Sequence, residues 1–337
     1  MRFYSRKAPP PAAREPTVQL TLSNPCCTVS FMRSSAKGNK VMLFLLLYLL
    51  VSQVIIAIAL DAAGIELDAL AVMALAQVAG LFVPFLFYLR ITRQKLPEVL
   101  QLAPLSPGNA LVVTLITIGI IPMVHLVNFL ASLVFYPMVL GTLRNMGLAS
   151  APLWVSLLVI GVLPSLFEEL WFRGALYREY EEVSIRKRAI ITGLFFGIMH
   201  INFHQFLYAG LFGILYAYIL YYTRSIFAPM LMHFVNNSLS VIMFRSASFT
   251  SGYFELWGNP ALFLLVAGGL SAAMFPVLVI LLKKLSASHA RHALSAPPPE
   301  PEAAAAGKPK VFTWAFWLVL AVFALSAGFA EVTLRAR

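Results

Sequence analysis

The stretch Leu153-Trp-Val-Ser-Leu-Leu-Val-Ile-Gly-Val-Leu-Pro164-Ser-Leu-Phe-Glu168-Glu169-Leu-Trp-Phe-Arg173 decides the fold. It is apolar for long enough to cross a bilayer, yet it ends on two adjacent carboxylates and a guanidinium. A charged side chain at the centre of a membrane helix costs roughly 2.5–3.5 kcal/mol on insertion scales, so paired acids there need partners and a reason. On a helix Glu169 and Arg173 stand four residues apart with the acid first, which stacks them on one face as a favourable pair. Glu168 is rotated by about 100° from Glu169 and points to a different wall. Glu169 and Arg173 thus read as the pair that holds the helix, and Glu168 as the group left for chemistry.

Composition agrees with a membrane setting. Of 337 residues, 60% are hydrophobic and 12% are charged, with a mean hydropathy of +0.82, which describes a polytopic membrane protein and excludes an ordinary soluble domain. Runs of about 20 mostly apolar residues, the length that crosses some 30 Å of hydrocarbon, occur at Val41–Leu60, Ala69–Leu89, Ala110–Val134, Leu153–Phe172, Ala189–Phe203, Phe206–Tyr222, Ile226–Phe244 and Ala261–Leu282. The fold class expected is an all-α polytopic membrane helical bundle, an eight-span core at 41–282 plus a ninth C-terminal span, Val311–Ala330, within 311–337. Residues 1–40 are basic and carry Pro9, Pro10 and Pro11, so they read as a disordered cytoplasmic tail. Residues 283–310, with Pro297-Pro-Pro-Glu-Pro and Ala303–Ala306, read as a flexible linker. The only cysteines, Cys26 and Cys27, are adjacent and offer neither a disulfide framework nor a CxxC metal site. Among the 14 acidic residues, only Glu168 and Glu169 fall inside these runs.

Charge gives the orientation. With the N-terminus in the cytoplasm, that side holds seven Lys and Arg in the tail, three after the second span and five from Arg173 to Arg188. Arg224 and five more from Lys283 to Lys310 bring the number to 21 of the 25, leaving only Arg144, Arg245, Arg335 and Arg337 opposite. The positive-inside rule then places the N-terminus in the cytoplasm and the C-terminus outside. The net charge of +11 reflects this topology and attraction to anionic lipid heads. No basic aromatic surface points to nucleic acid.

Two further motifs join the acidic one. In Phe195-Phe196-Gly-Ile-Met-His200, Phe196 stands one turn before His200 and can wall one side of the imidazole. In His233-Phe-Val-Asn-Asn237, His233 and Asn237 project from the same face of a span. Singly, an intramembrane His or Asn is more often a contact between helices, and His125, Asn128 and His204 are read that way; the aromatic run Phe206–Tyr222 is read as lipid-facing or packing surface. A buried Glu pair demands donors, however, and His200, His233 and Asn237 supply them from different helices.

The EExxxR, FxxxH and HxxxN series, in this order on successive apolar spans, resembles the CAAX prenyl protease and bacteriocin-processing family, also called the abortive-infection family, which includes the Ras-converting enzyme. The resemblance is sharp over about Leu153–Ser240. It implies a glutamate-dependent intramembrane endopeptidase acting on membrane-associated, possibly prenylated, proteins or peptides. Glu168 with His200 would activate a water, His233 and Asn237 would hold the oxyanion, and Glu169, Arg173 and Phe196 would support the site without a cofactor. A desolvated glutamate suits general-base work, and well-placed N–H donors are each worth about 10²–10³ in rate in the best-measured case. Water access is expected from the cytoplasmic side, with Glu168 roughly 7 Å from that end of its helix. The alternatives are a zinc site made by Glu168, His200 and His233, although HExxH is absent; a transporter or proton relay, although no repeat relates the halves; and a non-catalytic immunity or scaffold protein.

Overall fold

In the computed structural model the described residues are 34–138, 148, 150–295 and 309–336, with side chains described up to 289 in the second-last of these. All regular elements among them are helical. Apart from the single turn Leu96–Val99 they are α1 (Ser35–Ala63), α2 (Ala69–Thr92), α3 (Pro107–Ser132), α4 (Leu153–Glu179), α5 (Ile185–Ile198), α6 (Phe203–Thr223), α7 (Phe227–Arg245), α8 (Ala247–Trp257), α9 (Pro260–Ser295) and α10 (Trp314–Arg335). Eight of these are long and apolar enough to cross a membrane: all except α5 and α8. The all-α membrane bundle expected from composition is the fold.

Several boundaries differ from the sequence reading. Helix α1 begins at Ser35 because Ser34 caps it, its hydroxyl accepting the Lys37 N–H at 3.2 Å, so residues 35–40 are helix and not tail. Residues 1–33 lie outside the described part. Helix α9 continues past Lys283 and Lys284 to Ser295, since no proline follows the two lysines until Pro297, which removes about half of the expected linker; 296–308 lie outside the described part. With these longer helices, Asp61, Glu179 and Glu331 also fall within long apolar helices, each in the last turns.

The expected fifth span, Ala189–Phe203, is instead the 14-residue α5. At 1.5 Å per residue it covers about 21 Å, too little to cross alone. It ends where Ile201 takes φ 54° and Asn202 caps α6, accepting the Gln205 N–H at 2.6 Å and donating to the His200 carbonyl at 3.0 Å. Non-helical backbone at membrane depth is tolerated where protein satisfies it, and Asn202 does so here. Helices α5 and α6 pack back to back through glycine. A Cβ on Gly193 would stand 2.6 Å from the Ile214 nitrogen and 2.9 Å from the Gly210 oxygen, and one on Gly213 would stand 2.7 Å from the Gly193 Cα. Because backbone cannot yield as a side chain can, Gly193→Ala is expected to cost about 1–3 kcal/mol and to lower the midpoint of thermal unfolding in detergent. An unchanged midpoint would mean the two helices are further apart.

Contacts sort the connections onto two ends. At one end Lys37 pairs with Glu179 at 2.7 Å, Asn39 donates to the Val311 carbonyl at 2.6 Å and to Thr313 at 2.9 Å, and Tyr88 donates to Glu179 at 3.0 Å. This end gathers the starts of α1 and α10 with the close of α4 and carries most of the Lys and Arg among the described residues; it is called the basic end below. At the opposite end the Tyr136 N–H donates to Glu331 at 2.9 Å, Arg245 donates to the Leu148 and Ala151 carbonyls, and Phe135 meets Phe203 with ring centroids 5.3 Å apart. Residues 185–203 therefore pass from one end to the other despite the short α5. The last helix is no appendage: Ala315, Phe316, Val319, Phe323 and Ala327 are buried in the main core, and Phe323 lies 5.4 Å from Phe203 and 5.0 Å from Phe206.

Candidate active site

Helix α4 carries the acids on a backbone with two widened, π-type turns, Leu157–Val162 and Leu170–Leu176, flanking Leu163–Glu169. Such turns concentrate at functional sites. Glu169 and Arg173 are fully buried and form an ion pair at 3.1 Å. Arg173 also donates to the Gly213 carbonyl at 3.1 Å, and its guanidinium lies over the rings of Phe196 at 4.6 Å and Tyr216 at 5.0 Å, contacts that strengthen when desolvated. The pairing read from the i, i+4 spacing is present.

Glu169 does more than neutralise Arg173. Its Oε1 accepts from His233 Nδ1 at 3.0 Å, a contact that the sequence reading missed. Only a protonated Nδ1 can face a carboxylate in this way, so the acid fixes the ring's orientation and turns Nε2 toward Glu168, 3.9 Å away. The two acids do leave α4 in different directions, but they reach opposite nitrogens of one imidazole. Glu168 is the freer of the two, and its buried Oε2 has no hydrogen-bond partner among the described residues.

His200 follows α5. Its Nδ1 donates to the Phe196 carbonyl at 2.8 Å, which in the neutral ring leaves Nε2 as an acceptor. Phe196 stands edge-on to His200 at 5.2 Å and to His233 at 5.9 Å, so the residue expected to wall one imidazole separates two. Asn237 donates to the Ile160 carbonyl at 2.9 Å and accepts from Asn236 at 3.1 Å. One of its two amide hydrogens is therefore committed to the widened turn of α4, and the other is available.

Glu168, His200, His233 and Asn237 line one cavity of about 430 Å³ with Phe196. Sequence reasoning missed part of its wall. His204, Tyr208, Phe212 and Tyr216 all line it and follow one another at four-residue steps along α6, so one face of the aromatic run is active-site wall and not lipid-facing surface. That i, i+4 stripe, polar at three of four positions, was the available signal. His125 and Asn128 also line the cavity while making the interhelical contacts expected of them: His125 Nδ1 lies 3.2 Å from the Tyr253 hydroxyl, and His204 Nε2 donates to the Asn128 carbonyl at 3.1 Å.

The depth of the site corrects the sequence reading. Helix α4 continues to Glu179, which puts Glu168 about 17 Å of helix from the basic end instead of roughly 7 Å. The cavity also extends the other way, toward Met138, Phe244 and Tyr253. Among the described residues no group of three or more His, Cys, Asp or Glu is disposed to hold a metal ion.

The family model described as Rce1-like, type II CAAX prenyl endopeptidase Rce1-like, matches residues 150–239, a range that contains Glu168, Glu169, Arg173, Phe196, His200, His233 and Asn237. Over that segment the chain is similar to the CAAX protease family that its motifs resemble, and the match supports a CAAX-type membrane endopeptidase in general terms. No curated protein and no solved structure matches the chain.

Proposed function

We propose that this protein is a glutamate-dependent intramembrane endopeptidase whose base is Glu168. The observation that carries this reading is the unequal state of two adjacent carboxylates: Glu169 is held by Arg173 at 3.1 Å and by His233 Nδ1 at 3.0 Å, whereas Glu168 faces the cavity with only a 3.9 Å ion-pair contact, to His233 Nε2. Glu168 takes a proton from a water as the water oxygen attacks the scissile carbonyl carbon. His200, with Nδ1 tied to Phe196 and Nε2 as acceptor, positions that water. The oxyanion that forms is met by the second amide hydrogen of Asn237 and by His233 Nε2, which donates when the ring is an imidazolium held on Glu169. Collapse breaks the C–N bond, and the proton held by Glu168 passes to the leaving amine.

The substrate is a membrane-associated protein or peptide, prenylated or not. The basic end faces the cytoplasm, since it collects most of the described Lys and Arg; the N-terminus is then cytoplasmic and the C-terminus external. Purified full-length protein in lipid is expected to cleave a membrane-anchored peptide and to keep that activity after dialysis against a tight chelator, because Glu168 is needed as the proton acceptor and a neutral amide such as Asn237 is a poor zinc ligand. Loss of activity on chelation, restored by zinc and not by magnesium, would make Glu168, His200 and His233 ligands instead.

A further inference from the structure

Pro164 stands one helical turn before the acidic pair and removes a backbone donor from α4. In the widened turn Leu157–Val162 the Leu163 N–H bonds to the Leu158 carbonyl, five residues back. The next residue, Pro164, has no N–H to give. The Val159 carbonyl, five residues before it, and the Ile160 carbonyl, four before it, are therefore left without that backbone partner. Carbonyls at membrane depth have to be satisfied by protein, and side-chain amides from two other helices do so. Gln77 of α2 donates through Nε2 to Val159 at 3.0 Å, and Asn237 of α7 donates through Nδ2 to Ile160 at 2.9 Å.

Gln77 is buried, and its Oε1 meets no donor among the described residues, so its amide serves α4 as a donor. On the other side of the turn, Gly161 brings α4 close against α7: a Cβ there would stand 2.8 Å from Ser238 Oγ and 3.3 Å from the Phe234 ring. The turn is thus held between α2 and α7, and the position of the Ile160 carbonyl decides where the Asn237 amide lies in the cavity. Without Gln77, the Val159 carbonyl would compete for the donor that its neighbour holds. We propose that the turn opened by Pro164, held from α2 by Gln77, positions Asn237 for the oxyanion, which makes Gln77 a positioning residue of the reaction. The inference rests on the reading of Asn237 as an oxyanion donor. A donor that acts only in the transition state shows itself in kcat and not in KM, and a misplacement of about 1 Å can cost about 10²-fold in rate.

A cycle of variants, assayed as full-length protein in lipid on a membrane-anchored peptide, tests this. Gln77→Met keeps the length of the side chain and removes the amide; it is expected to lower kcat about 10–10²-fold and to leave KM unchanged. In the Asn237→Ala protein, where no amide remains to be misplaced, adding Gln77→Met should lower kcat no further. An unchanged kcat in the Gln77→Met enzyme, or an equal loss in both backgrounds, overturns the proposal. Gly161→Ala tests the same turn without removing a hydrogen-bonding group, and it decides the matter where Gln77→Met folds poorly. Its Cβ pushes the turn away from Ser238, so kcat should fall, and that loss should likewise vanish beside Asn237→Ala; no loss, or a loss that persists there, counts against the proposal. The oxyanion reading fails separately, through full kcat in the Asn237→Ala enzyme, which would remove the role that the turn serves.

Discussion

Replacing Glu168 by Gln is expected to lower kcat about 10²–10⁴-fold, the usual range for a positioned acid or base, with no loss of folded protein in the membrane. Glutamine matches glutamate in size but cannot take a proton from water. It breaks no network either, because the Glu168 Oε2 has no hydrogen-bond partner among the described residues and the nearest cation is His233 Nε2 at 3.9 Å. The comparison that gives this result meaning is Glu169→Gln. That change weakens the anchor on His233 Nδ1 and the pairing with Arg173, so both folded yield and activity should fall. The measurement is cleavage of a membrane-anchored peptide normalised to the monodisperse fraction. Near-normal cleavage by the Glu168→Gln protein, beside a fully expressed and inactive Glu169→Gln protein, would exchange the roles of the two acids. The exchange is chemically meaningful because both carboxylates address the same imidazole.

Features of the site that depend on one helix could be read from the sequence. The Glu169–Arg173 pair, the single turn between Phe196 and His200, and the shared face of His233 and Asn237 all follow from helical spacing. Features that depend on how helices cross could not. The Glu169–His233 bond joins residues 64 apart, and no local pattern says which of two adjacent acids the imidazole will choose.

Boundary errors have local causes. Lys283 and Lys284 suggested the end of a span, but two lysines at a membrane surface do not break a helix, and nothing before Pro297 does. The short α5 passed as a full span because the apolar residues on either side of His200-Ile-Asn202 outweigh its two polar side chains; the left-handed turn at Ile201 leaves no composition signal. In α6 a high aromatic content hid a polar stripe, His204, Tyr208 and Tyr216, whose four-residue spacing was visible but was outweighed by the hydropathy of its neighbours.

Removing Arg173 should be the most damaging change to stability. Arg173→Met keeps much of the side-chain volume but leaves the Glu169 carboxylate buried without its cation and the Gly213 carbonyl without a donor; breaking a buried pair from one side costs about 3–5 kcal/mol. The expected result is a large loss of folded protein, read as the monodisperse fraction after detergent extraction. Poor folding alone would not separate the ion pair from the packing that Phe196 and Tyr216 provide around the guanidinium. The double variant Glu169→Leu/Arg173→Met does so, because replacing both partners of a buried pair by apolar residues is often neutral. Folded yield should recover in the double variant, while cleavage should stay absent, since His233 has lost the carboxylate that fixes its Nδ1–H and aims Nε2 at Glu168. Recovery of both yield and cleavage would mean that Glu169 serves only to neutralise Arg173. Failure of the double variant to fold would assign the stability to the hydrogen bond on Gly213 and the aromatic cover instead of the charge pair.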